Sequence, residues 1–147
     1  MAAPLEIRRR YPDPIDEVWG AFTESDRLAR WFGSYTGTGR PGGTVELTVT
    51  GEVAAGGEVA APVTVTVHEC AAPHRLVVEI PEGDGSWRVG VELAAAGSGT
   101  EVVLRQRLGP GVDPGEVEAG WSWYLDRLGA SLRGTAMPGW AQYAPRV

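Results

Sequence analysis

His68, Cys70 and His74 are the tightest grouping of metal-type ligands in the chain. A zinc site wants three or four such groups closed into a tetrahedron. In strand alternation His68 and Cys70 share one face, and His74 falls past the following turn. The spacing predicts a strand end and an exposed turn, and no metal. A nucleophile is no easier to assemble. Gly120-Trp121-Ser122-Trp123 lacks the second glycine of a nucleophile elbow, and it lies in a helical pattern where the elbow needs a strand-to-helix turn. A Ser–His arrangement would have to use His68 or His74, and nothing in the spacing supports one. Gly37-x-Gly39-x-x-Gly42 matches the dinucleotide fingerprint in letters only. A helix precedes it and a strand follows, the reverse of what sets a pyrophosphate on a helix N-terminus. No catalytic residue, metal or cofactor is assigned.

Polar residues in phase with apolar strand faces are better candidates for a site. Arg9 is in phase with Ile7, Gln106 with Val102 and Leu104, and Glu69 with Val65 and Val67. A buried charge must be paired or solvated, so these residues either reach solvent at strand ends or line a wet cavity. Aromatic residues are the other candidates. Trp31 and Phe32 stand just before a glycine-rich stretch that contains Tyr35, where they would line a cavity mouth. Trp87, Trp121 and Tyr124 would converge with them around one helix.

That helix is the stretch Asp113 to Arg133. Val117, Trp121, Tyr124, Leu125, Leu128 and Leu132 form its apolar stripe. Asp113 with Glu116 reads as its cap, Pro114 occupies its first position, and Gly134 and Pro138 end it. Trp123 falls off the stripe. It would pack against a neighbouring element, against the tail Met137–Tyr143, or against a second subunit of a homodimer. Gly120 and Gly129 lie inside the helix, each at a cost of about 1 kcal/mol relative to alanine. Either close approach to the sheet or room for a ligand would explain them.

Strands account for most of what precedes. Leu5–Tyr11 alternates. Pro12-Asp13-Pro14 stops it, and two short helices follow, on Ile15, Val18, Trp19 and Phe22 and then on Leu28, Trp31 and Phe32. Asp13 or Asp16 would cap the first. Gly33 to Gly43 reads as a loop. Alternation returns over Thr44–Ala54, and Gly56-Gly57 marks a hairpin turn. Val59 resumes the strand, Pro62 interrupts it as a bulge or edge position, and it continues to Glu69. Leu76–Ile80, Trp87–Leu93 and Val102–Gln106 complete six strands. Short turns make them an antiparallel meander. Six such strands and one long helix give a two-layer α+β domain over residues 1–134 with a tail at 135–147. A sheet curved around a helix tends to leave a cavity at its centre.

Composition excludes several functions. A net charge of −6 argues against nucleic-acid binding, and Arg8-Arg9-Arg10 splits across two strand faces. No apolar run approaches the roughly 20 residues of a membrane span. The first residues lack a signal-peptide core, and a single cysteine allows no internal disulfide; together these predict a cytoplasmic protein. The use of arginine without any lysine is read as codon bias in a GC-rich genome, and a bacterial protein is expected.

Pro12 to Thr23, Leu28 to Gly33, Glu69 through Pro73 to Val77, and Gly120-Trp121 with Tyr124 to Leu128 together resemble the family of the activator of heat-shock protein 90 ATPase. The resemblance covers about residues 5–134. It implies the helix-grip fold of the START and birch-pollen-allergen superfamily, whose members include polyketide cyclases and lipid carriers. Fold alone does not set function there. The leading expectation is a protein that binds a small hydrophobic or aromatic ligand between sheet and helix. Arg9, Trp31, Phe32, Tyr35, Glu69, Trp87, Gln106, Trp121 and Tyr124 would contact it. The alternatives are a cyclase or dehydratase with an acid or base among Glu69, Arg9, Gln106 and Tyr35, and a co-chaperone-like interaction module.

Overall fold

The computed structural model describes residues 4–51, 61–82 and 85–143. Its elements are β1 (Leu5–Tyr11), α1 (Ile15–Thr23), α2 (Ser25–Leu28), β2 (Gly33–Gly37), β3 (Thr44–Val49), β4 (Val63–Ala71), β5 (Arg75–Glu82), β6 (Gly85–Ala96), β7 (Gly99–Gln106) and α3 (Pro114–Arg133). A short 3-10 turn, Trp140–Gln142, lies in the tail. The strands form one antiparallel sheet in the order β1-β7-β6-β5-β4-β3-β2. From β2 to β7 each strand pairs with its sequence neighbour. The α1–α2 pair carries the chain from β1, at one edge, to β2 at the other. β1 then zips onto β7 from Leu5↔Gln106 to Tyr11↔Thr100.

Among the described residues the sheet has seven strands where alternation predicts six. The extra one, β2, lies within the stretch that reads as a loop. It is an edge strand, paired only with β3, so it can form without an apolar face of its own. Gly33 is fixed by this pairing, because a Cβ there would stand 2.3 Å from the Thr48 carbonyl oxygen. β3 ends at Val49, short of the alternation that runs on to Ala54, and β4 starts at Val63, just after Pro62. The expected turn at Gly56-Gly57 and the strand resuming at Val59 lie outside the described residues.

α3 begins and ends where its signals predict. The Asp113 carboxylate accepts from the Gly115 backbone N–H at 2.9 Å, Pro114 opens the helix, and Gly134 closes it in the left-handed conformation at φ 70°. α1 is capped differently from expectation. Pro14 is its N-cap, with no side-chain bond from Asp13 or Asp16. Asp13 serves the fold through its backbone instead: its carbonyl accepts from Thr100 Oγ1 at 2.8 Å, which pins the β1–α1 corner to the start of β7.

The core lies between the concave face of the sheet and the helices. Val18, Val102 and Leu128 are fully buried. Each such side chain contributes about 1.5–3 kcal/mol by leaving water. Trp31 ties α2 to α1 through Nε1–H to the Ala21 carbonyl at 2.9 Å. Arg127 ties α3 to the segment after α2: its Nε donates to the Trp31 carbonyl at 2.9 Å, and its guanidinium lies 4.9 Å over the ring of Trp123 on α3 itself. Trp123, the residue off the apolar stripe, is covered by the tail. Its indole donates to the Pro138 carbonyl at 2.9 Å and meets Trp140 edge-on at 5.3 Å. No helix among the described residues is long and apolar enough to cross a membrane.

Candidate functional site

The sheet does not close onto the helices. A cavity of about 220 Å³ remains between them, bounded by the inner faces of β3 to β7, by Phe22, Leu28 and Trp31 below, and by Trp121 and Leu125 of α3 above. The period-2 alternation explains the lining. Val45 and Leu47 on β3, Val65 and Val67 on β4, and Val89 and Val91 on β6 all face inward. Such a wall offers water almost no hydrogen bonds, which favours an apolar occupant.

Polar groups on the wall gather at one end. Tyr35, Thr23 and Cys70 line it. The Tyr35 hydroxyl donates to the Thr23 carbonyl, and Thr23 Oγ1 donates to the Trp19 carbonyl at 2.9 Å. Burial, then the neighbouring Cys70 and Glu24, raise the Tyr35 phenol above its ordinary range. That hydroxyl therefore stays protonated and committed to its backbone partner.

Gln106 stands at the other end, behind Trp121. It is 1% exposed, and its Oε1 accepts from Trp121 Nε1–H at 2.7 Å. Its Nε2 is buried without a hydrogen-bond partner among the described residues. Only one of the two polar atoms of the amide is satisfied, and its visible work is to hold the indole plane of Trp121.

A second space opens beside the first, at the N-terminal end of α3. It is a groove of about 510 Å³ lined by Phe32, Trp87, Trp121, Tyr124, Asp113 and Glu116, among others. Phe32, Ile80 and Trp121 line both the groove and the cavity, so the two adjoin. Phe32 stacks on Trp121 at 5.8 Å and 22° and meets Tyr124 edge-on at 4.7 Å. Tyr124 is fixed in turn by Gly51, where a Cβ would stand 2.3 Å from its ring.

Seven of the nine residues expected at a site thus lie in or against these spaces: Trp31 and Tyr35 on the cavity, Phe32 and Trp121 on both, Trp87 and Tyr124 on the groove, and Gln106 bonded to Trp121. Arg9 and Glu69 do not. Arg9 lies against the C-terminal half of α3, with Nε 3.3 Å from Asp126 Oδ1. Glu69 pairs on the surface with Arg75 at 3.1 Å. The physical reason is a β-bulge. Pairing between β4 and β5 slips between Val67 and Glu69, and the extra residue, His68, reverses the alternation beyond it. Val67 and Cys70 therefore both line the cavity while Glu69 turns out. The same slip turns His68 away from Cys70, and His74 lies past the end of β4. His68 Nε2 lies 3.0 Å from Glu79 Oε1, and His74 Nδ1 lies 3.2 Å from the Leu93 carbonyl. Cys70 was missed as a lining residue because nothing in the sequence marks the bulge.

A curved antiparallel sheet gripping a C-terminal helix around an apolar cavity is the helix-grip architecture of the START and birch-pollen-allergen superfamily. Within it, residues 13–133 match the family described as Activator of Hsp90 ATPase homolog 1-like protein, and the chain belongs to that family. CalU16 from Micromonospora echinospora is 30% identical, with a TM-score of 0.72 over 88% of this chain and 75% of its own. The protein encoded by gene BPP1335 of Bordetella parapertussis is 25% identical, with a TM-score of 0.77 over 97% of this chain and 83% of its own. DynU16, a protein in the dynemicin biosynthetic locus, shares the fold at 23% identity and a TM-score of 0.72; this chain, 90% of it matched, spans about half of DynU16, at 48%. No curated protein matches the sequence.

Proposed function

We propose that this protein binds a small apolar or aromatic molecule in the cavity between the sheet and α3, in the cytoplasm and without a cofactor. The observation that carries the reading is the cavity itself: about 220 Å³, walled almost wholly by aliphatic and aromatic side chains. An apolar cavity of about 150 Å³ is enough to hold benzene, so this one has room for a larger ring system. A core meant only for stability would fill such a space, because a void costs roughly 24 cal/mol per Å³. The presence of DynU16 in a dynemicin biosynthetic locus supports the reading at the level of the fold. A cyclase or dehydratase would need an acid or base on the wall. Among the described residues the titratable side chains lining the cavity are Tyr35 and Cys70, which gives the binding reading more support.

Mass action supplies the test. A ligand at one hundred times its dissociation constant stabilises the native state by about 2.7 kcal/mol. For a chain of this length that raises the melting temperature by roughly 5–10 °C. A panel of aromatic, polyketide and lipid molecules should contain compounds that do this and displace a cavity dye. Val65→Phe, which grows into the space, should abolish both effects. A panel that produces neither effect would sink the proposal.

A further inference from the structure

The groove beside the cavity has a chemistry of its own. Four aromatic side chains line it: Phe32 from the α2–β2 junction, Trp87 from β6, and Trp121 and Tyr124 from α3. Two carboxylates, Asp113 and Glu116, stand on its rim, and no basic side chain lines it among the described residues. Aromatic faces carry negative charge density, and a cation within about 6 Å of a ring centroid is held by it. The N-terminus of α3 contributes about half a positive charge at the same rim. Two carboxylates outweigh it, so the field in the groove favours cations. Gly120 opens the helix on this side: a Cβ there would meet nothing within 4 Å. Three side chains, Phe32, Ile80 and Trp121, are shared with the cavity, so the groove lies directly against it.

We infer that the groove is a subsite for an alkylammonium group, and that the ligand is a cationic amphiphile with its apolar or aromatic body in the cavity and its amine among Phe32, Trp87, Trp121 and Tyr124. The inference rests on the proposed binding function and narrows it. The body sees walls that are aliphatic and aromatic apart from Thr23, Tyr35 and Cys70, and with no carboxylate among the described lining residues a cation there would be desolvated without a counter-ion. The amine sees ring faces and carboxylates. A carboxylate or phosphate head would meet Asp113 and Glu116 with no arginine among the described lining residues to offset them.

The test uses three probes with one body, a naphthalene on a short alkyl chain. One ends in trimethylammonium, one in its neutral tert-butyl isostere, one in a carboxylate. Binding is followed by calorimetry and by the fluorescence of Trp87 and Trp121. The ammonium probe should bind about tenfold more tightly than the neutral one, the effect of one to two cation–π contacts. The carboxylate should bind most weakly. Trp87→Leu and Glu116→Gln should each narrow the gap between ammonium and neutral probes by about threefold, and 0.5 M salt should weaken the contribution of the carboxylates and spare that of Trp87. Equal affinity for the three heads, or preference for the carboxylate, overturns the inference and leaves the cavity function standing. Failure of all three probes, together with a panel that gives no melting shift, overturns both.

Discussion

The two halves of α3 are built differently. In the C-terminal half the helix is clamped. Tyr11 donates its hydroxyl to the Leu125 carbonyl at 2.7 Å, Asp126 takes Arg9 on one oxygen and the Tyr143 hydroxyl on the other, and Leu128 is fully buried. In the N-terminal half, Trp121 borders a void on one side and a groove on the other, and the amide behind it is only half satisfied. One helix thus divides its work: the C-terminal turns hold the sheet, and the N-terminal turns hold space open. A cavity in so small a domain is affordable only if the rest of the contact is tight.

Two leucines one turn apart put the largest number on this difference. Leu125 and Leu128 are both 1% exposed or less, but only Leu125 lines the cavity. Leu128→Ala should cost about 3–4 kcal/mol in urea unfolding, since it opens a hole in packed core. Leu125→Ala should cost about 1 kcal/mol less, because its side chain already lacks neighbours on one side. Equal losses would mean that the cavity wall is packed as tightly as the clamp.

The next effect tests the hold on Trp121. Trp121→Phe removes the partner of Gln106 Oε1 and leaves a fully buried amide with no bond, at a cost of about 1–2 kcal/mol beyond the lost area. Adding Gln106→Leu removes the stranded amide, so the double variant should recover most of that cost. Additive losses in the cycle would show that the hydrogen bond is incidental.

The sequence carried the elements further than the space between them. The apolar stripe of α3, its Asp113 cap and Gly134 stop, and the strand alternation are local patterns, and the structure follows them. β2 was hidden because an edge strand of Gly, Ser, Tyr and Thr is held by the backbone of β3 and needs no apolar period. The bulge at His68 was hidden for a related reason: it is a choice of pairing between β4 and β5, and it moved Glu69 out and Cys70 in. A cavity is harder still to read. It is the volume left after the strands and helices have packed, and no residue encodes it alone. Trp31 and Phe32, expected at its mouth, are part of its lining, and Trp31 is buried at 2% exposure, because large side chains have few places to go in a small domain. Arg9 shows the limit of phase arguments: it lies in phase with Ile7 and still ends on Asp126, since the strand face it occupies runs past the cavity to the clamp.

The smallest effect is the sharpest, because it should change sign along one helix. Gly120 and Gly129 are both interior to α3, and alanine is intrinsically better there by about 1 kcal/mol. At Gly120 a Cβ meets nothing within 4 Å, so Gly120→Ala should stabilise the protein by about 0.5–1 kcal/mol. At Gly129 the new methyl would lie 3.3 Å from both Tyr11 Cε1 and Arg133 Nη1. The arginine can swing away. Tyr11 cannot, because its ring is buried and its hydroxyl is bonded to Leu125. Gly129→Ala should therefore be neutral or destabilising by up to about 1 kcal/mol, the helix gain being spent on moving the ring. Close approach explains Gly129, whereas nothing in the packing demands Gly120. If the groove binds a ligand, Gly120→Ala should stabilise the free protein and weaken binding together. A stabilised Gly120→Ala variant with unchanged affinity would leave that glycine without a functional reason and would take the groove out of the site.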